Sequence, residues 1–166
     1  LCGNILAELG TDVIKVERPG GDPSRHLGPF YHDTPHPERN LYWWAYNYNK
    51  RGITLNLESP QGRELFKELV RRSHFVIESF PPGYLDSLGL GYQALSQVNP
   101  ALILTSITPF GQTGPWRDYQ TSDLVATALG GLLYVTGDPE RPPLRMSFPQ
   151  AYLHAGAHAA CGTLAA

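Results

Sequence analysis

Apolar residues along this chain fall into two rhythms, and their alternation predicts the fold. Leu1, Ile5, Leu6 and Leu9 mark one face of a helix, and the pattern stops at Gly10, where a left-handed C-terminal cap is natural. The run DVIKVE, Asp12 to Glu17, then reads as a strand. ITLNL, Ile53 to Leu57, is a second strand, FVIES, Phe75 to Ser79, a third, and ALILTSI, Ala101 to Ile107, a fourth. Between them SPQGRELFKELVRRS has helical spacing, with Ser59 as N-cap, Pro60 at the first position, and Arg71 and Arg72 at the negative pole of the helix dipole. GYQALSQVN predicts a short helix, and two more are expected near Ser122 to Val135 and Gln150 to Ala166. Short apolar strands alternating with amphipathic helices imply right-handed βαβ units. The expected class is therefore α/β, a Rossmann-like, mainly parallel sheet with helices on both faces.

That topology gives the loops their meaning. ERPGGDPSR follows the first strand, ESFPPGYL the third and TPFGQTGPW the fourth, so all three leave the carboxyl ends of parallel strands, where open α/β sheets bind ligands. NLESP leads from the second strand straight into a helix N-terminus, a ready partner for a phosphate. The polar stretch Pro19 to Asn40, rich in Gly, Pro and His, has a length associated with function or disorder.

Composition narrows the partners. The chain has 166 residues, 42% hydrophobic and 17% charged, enough for one globular core. A net charge of −2 offers no general field for nucleic acid or an anionic membrane, and no apolar run approaches the roughly 20 residues needed to cross a bilayer. Cys2 and Cys161 have neither ligand spacing nor the look of a disulfide framework, so a cytoplasmic location is expected. The chain opens on a helical pattern without Met and closes on another, which reads as an internal piece of a longer protein.

Common nucleotide and hydrolase signatures do not fit. GLGYQA has Ala94 where GxGxxG needs its third glycine, which disfavours an NAD-type site, and neither GxxxxGK[ST] nor GxSxG occurs. His154 and His158 have the spacing of a helical metal pair but lack the Glu of HExxH and an evident third ligand. His26, His32 and His36 share one loop and read as a solvated surface, so no metal is assigned. WWAYNYNKRG reads either as aromatics and cations (Lys50, Arg51) for a nucleotide or as a packed amphipathic segment ending in solvated charge. Arg18, directly after a strand, is the better phosphate candidate.

Five collinear stretches, AELGTDVIKVERPGGDPSR, NKRGITLNLESPQGRELFKELV, FVIESFPPGYLDSLGLGYQAL, NPALILTSITPFGQTGPWRD and LVATALGGLLYVTGDPERPPLRMSFP, resemble the class III CoA-transferase family, the group of formyl-CoA transferase, carnitine CoA-transferase and α-methylacyl-CoA racemase. The resemblance covers almost the whole chain. It implies that residues 1–166 are part of a CoA-binding large domain, without the small second domain, in a protein whose two subunits interlock. It implies acyl-CoA and a carboxylic acid as substrates, with CoA moved between acids. The partner is a second copy, giving a homodimer, or a homologous subunit, giving a heterodimer.

In that family an Asp carboxylate attacks the thioester, giving an anhydride and then an enzyme-bound CoA thioester. Laid on LRMSFPQAYLHAG, the family pattern places Pro149 on its Pro and Tyr152 on the catalytic Asp. A phenol, ionising near about 10 and larger than a carboxylate, is a poor acyl acceptor at neutral pH. Arg18, Leu55 and Phe80 match CoA-contacting positions, with Lys50, Arg51 or Arg25 as further cations, whereas Glu58, Ser79 and Ser87 depart from the Lys, Asn and Arg of formyl-CoA transferase. Asp123 falls where the family often has an active-site carboxylate and is the nearest replacement nucleophile, a carboxylate elsewhere being the alternative. Ser122 stands where racemases have a His, which disfavours racemisation. Two readings result: a CoA-transferase with another nucleophile, or a non-catalytic CoA-binding half paired with an active homologue.

Overall fold

The computed structural model describes residues 1–166. Four short parallel strands form the centre: β1 (Ile14–Glu17), β2 (Arg51–Thr54), β3 (Phe75–Glu78) and β4 (Ile103–Ser106). β1 pairs with β2 from Ile14↔Arg51 to Glu17↔Thr54, and β3 with β4 from Phe75↔Ile103 to Glu78↔Ser106. The expected parallel arrangement is present as two separate hydrogen-bonded pairs rather than one continuous sheet.

The pleat sends neighbouring side chains to opposite faces. On β3, Val76 packs against a cluster built from Phe66, Val70, Leu85, Leu90, Leu95 and Leu102, while Ile77 packs against Cys2, Leu6 and Ala160. Helices cover both sides in consequence. The first cluster draws on α3 (Pro60–Arg71), α4 (Tyr84–Ser87) and α5 (Tyr92–Val98), the second on α1 (Cys2–Glu8) and α7 (Gln150–Ala165). α2 (Leu41–Asn47) and α6 (Asp123–Leu129) complete the set.

Local chemistry explains the element ends. The Ser59 hydroxyl accepts the Gly62 N–H at 3.0 Å and donates to the Asn56 carbonyl at 2.8 Å, so α3 starts at the expected cap. Asn56 also accepts the Glu58 N–H on its side chain, and this turn ends β2 at Thr54, earlier than the expected Leu57. Gly131, at φ +79°, lies beyond the end of α6 at Leu129, where apolar spacing alone predicts a helix to Val135.

The Pro19 to Asn40 stretch is a built structure rather than a slack loop. It carries three 3₁₀ turns, Pro23–His26, Tyr31–Asp33 and Pro37–Arg39. Asn40 is fully buried; its amide donates to the carbonyls of Ser24, at 2.9 Å, and Leu27, and its oxygen accepts the Trp43 N–H at 2.5 Å, which starts α2. Arg25 forks onto Glu17 at 2.7 and 2.8 Å, reaches Glu38 at 2.9 Å and lies 3.8 Å from the Trp43 ring centre. That pairing holds the Glu17 carboxyl below its ordinary range.

Asp22 is tied in from the other side. Burial opposes its ionisation, but hydrogen bonds from Lys15 and from the Ser24 amide and hydroxyl outweigh it, leaving the carboxyl at about 2. Because this lies below the ordinary 3.8, the stability Asp22 contributes is present above about pH 4 and lost as pH falls toward 2. Denaturant unfolding of the intact protein from pH 5 to pH 2 should show a smaller acid loss for Asp22→Asn than for wild type. Parallel curves would remove Asp22 as a source of the loss.

Candidate active site at the carboxyl ends of the strands

Three of the residues singled out for CoA stand where strands end. Arg18 follows β1; it is exposed, its guanidinium has no side-chain partner, and its carbonyl accepts the Gly21 N–H at 2.9 Å to turn the chain. Leu55 follows β2 and donates its N–H to the Glu17 carbonyl at 2.8 Å, which makes it a close neighbour of Arg18 while its side chain packs on the larger cluster. Phe80, after β3, presents a partly open ring tilted against Tyr84 with centres 4.8 Å apart, and the Tyr84 hydroxyl donates to Glu58 at 3.4 Å across from the β2 exit. An unpaired cation beside an apolar wall, with an aromatic shelf on the same edge of the fold, suits an anionic ligand with a flat ring.

The β3 and β4 exits enclose a cavity of about 200 Å³ lined by Glu78, Pro81, Leu85, Tyr92, Ser106 and Gln112. Glu78 is nearly buried there, accepting the Phe80 N–H at 2.7 Å and the Gln112 amide at 3.3 Å.

The remaining cations do not join Arg18. Arg51 opens β2 opposite Ile14, at the amino end of the sheet, and is forked onto Asp12, through Nε at 2.9 Å. Lys50, one residue earlier, donates to the Tyr46 carbonyl at 2.6 Å and to Asn47 at 2.9 Å. Burial, then the charge of Lys15, pushes its ammonium down to about 8. Four strand residues at roughly 3.3 Å each separate these positions from Arg18. Arg25 is likewise occupied by Glu17 and Glu38. In the unliganded fold all three are paired with other groups of the chain, whereas the Arg18 guanidinium is not.

The structure brings Asp123 and Tyr152 together. Asp123 is 6% exposed at the start of α6, and its Oδ1 accepts the N–H of Ala151, the residue before Tyr152, at 2.8 Å. Its Oδ2 lies 4.0 Å from Arg145. Tyr152, on the first turn of α7, is 53% exposed. Near it on α2, the Tyr42 and Tyr46 rings meet at a tilt with centres 4.6 Å apart; burial pushes the Tyr42 phenol up, and the nearby Tyr46 and Tyr152 add to the rise. Sequence spacing missed Arg145, Tyr42 and Tyr46, because nothing local links residues 42 and 145 to residue 152. His154 and His158 are exposed on α7, and no group of three or more His, Cys, Asp or Glu is placed to hold an ion. No helix is long and apolar enough to cross a membrane.

Comparison with known proteins gives this edge its context. Residues 1–166 match the model of CoA-transferase family III. The chain is 45% identical over 159 residues to the succinyl-CoA:(R)-benzylsuccinate CoA-transferase subunit BbsE of Thauera aromatica, covering 96% of this chain and 39% of that protein. It is 42% identical over 166 residues to the succinyl-CoA–D-citramalate CoA-transferase of Chloroflexus aurantiacus, covering 99% of this chain and 40% of the relative. The crystal structure of a CAIB/BAIF family protein from Brucella suis superposes with a TM-score of 0.90 at 37% identity, over 99% of this chain and 43% of that one. The chain thus spans about two fifths of the length of these relatives. With a family match over every residue and a shared fold, the chain belongs to CoA-transferase family III.

Proposed function

We propose that the protein binds an acyl-CoA thioester and takes part in moving CoA between carboxylic acids. The observation that carries this reading is the family match over all 166 residues, together with relatives whose names describe such transfers: succinyl-CoA to benzylsuccinate, succinyl-CoA to citramalate, and succinate with glutarate. Arg18 pairs a phosphate of CoA, and Leu55 and Phe80 line its nucleotide end. Residues 1–166 act as part of the CoA-binding large domain of a longer cytoplasmic protein that interlocks with a second subunit.

A second reading is favoured by one residue. Tyr152 occupies the turn where the resemblance places the reacting carboxylate, and two relatives are named as subunits, BbsE and the beta subunit of a succinyl-CoA–L-malate CoA-transferase of Chloroflexus aurantiacus. In this reading the chain supplies a CoA-binding half, and a homologous subunit supplies the carboxylate that attacks the thioester.

One experiment tests both. The intact protein, with any homologous subunit it pairs with, is titrated with CoA by calorimetry and then incubated with a panel of CoA thioesters, succinyl-CoA first, for intact-mass analysis. CoA binding, weakened about tenfold or more in Arg18→Ala, is expected. A covalent CoA or acyl adduct mapped to this chain supports the first reading, and one mapped to the partner the second. Failure to bind CoA would overturn both.

A further inference from the structure

α7 begins without a cap of its own. Its N-cap position is Pro149, which has no side-chain acceptor, and a helix leaves its first four amides without partners in the helix. The Leu153 N–H finds the Pro149 carbonyl at 3.2 Å, and the Ala151 N–H finds Asp123 at 2.8 Å. The acceptor comes from a helix that does not need it, since the Ser122 hydroxyl caps α6 by accepting the Val125 N–H at 3.4 Å. The Thr127 hydroxyl lies 2.9 Å from the main-chain carbonyls of both Asp123 and Leu124, which secures the first turn of α6 from which the carboxylate reaches.

The chain between the two helices offers little else to hold them at this end. No residue from 128 to 149 is buried, and Arg145, from that stretch, approaches Asp123 at 4.0 Å. A nucleophile needs an open lone pair facing the thioester. Asp123 is instead 6% exposed, with one oxygen engaged by a helix N-terminus and the other facing a guanidinium.

We propose that Asp123 is a positioning residue: its carboxylate, reaching across from α6, fixes the first turn of α7 and hence the placement of residue 152 at the acyl site. The proposal rests on the CoA-transfer reading above for what that turn serves, but not for the contact itself. Asn keeps an acceptor of the same reach and loses the carboxylate, so Asp123→Asn and Asp123→Ala separate positioning from chemistry.

Both variants are made in the intact protein with its subunit partner. Hydrogen exchange is followed in the peptide 149–156, and CoA transfer from succinyl-CoA is assayed for kcat and KM separately. Asp123→Ala is expected to speed exchange of the Ala151 amide and lower kcat, each about tenfold, with KM for the thioester little changed. Asp123→Asn should stay within about threefold of wild type on every measure. An Asn variant as inactive as the Ala variant, with exchange unchanged, would overturn the proposal in favour of a chemical role. If the wild-type protein transfers no CoA, the CoA-transfer reading fails and exchange alone decides; equal protection of Ala151 in wild type and Asp123→Ala would then overturn the cap.

Discussion

Gly62→Ala lowers stability by about 3 kcal/mol or more, the largest loss expected from any single methyl group in the chain. A Cβ at Gly62 would lie 1.8 Å from the Asn56 carbonyl oxygen and 2.6 Å from its carbon. Backbone cannot swing aside as a side-chain end can. The same carbonyl accepts the Ser59 hydroxyl at 2.8 Å, so moving it also releases the cap of α3 and, through Phe66 and Val70, loosens the main apolar cluster. Glycine is required here for space, since Gly62 has an ordinary negative φ. Denaturant midpoints for Gly62→Ala and for the exposed neighbour Gln61→Ala make the comparison. Similar small shifts in the two would show that α3 can pull away from Asn56.

Asn40→Asp should destabilise by about 2–4 kcal/mol at neutral pH although the shape is unchanged. The amide of Asn40 faces two carbonyls, those of Ser24 and Leu27, in a fully buried position. An ionised carboxylate there would set oxygen against oxygen on both contacts while keeping only the bond from Trp43. The neutral acid can donate to one of the carbonyls, so burial raises the pKa of the new group in the folded state. Stability is then least impaired below the unfolded value near about 4 and falls as pH rises through the raised folded value. Unfolding at pH 4 and pH 7 tests this, with the larger loss expected at pH 7. Equal losses below about 1 kcal/mol at both pH values would mean that the 3₁₀ turns do not depend on Asn40.

The parts of this fold that sequence reveals are those whose causes lie within a few residues. The Ser59–Pro60 start of α3, the Gly10 end of α1 and the four strands are local patterns, and the structure has all of them. The four-residue helix α4 was not legible, because one turn has too few positions for a helical period to show. Cation roles were the hardest to read. Arg51 resembles a free surface charge until Asp12 arrives from 39 residues away, and Arg25 until Glu17 closes on it. Asp123 was legible as a candidate active-site carboxylate but not as a partner of the α7 start, since the amide it accepts lies 28 residues downstream. Arg18 is singled out by position, and the structure leaves its guanidinium exposed and without a side-chain partner at the carboxyl end of β1, where open parallel sheets bind ligands.

The packing of α1 on α7 also governs how the chain can fold. Gly156 rests against Leu1 and Cys2, and Ala160 completes the cluster with Cys2 and Leu6, so this layer joins helices from opposite ends of the described residues. During synthesis at about 5–20 residues per second, the apolar side of α1 waits roughly 8 to 30 s for its cover to leave the ribosome. Contacts so distant in sequence form late, after their loop-closure entropy has been met. Substitutions at Gly156 or Ala160 therefore act chiefly on the unfolding rate.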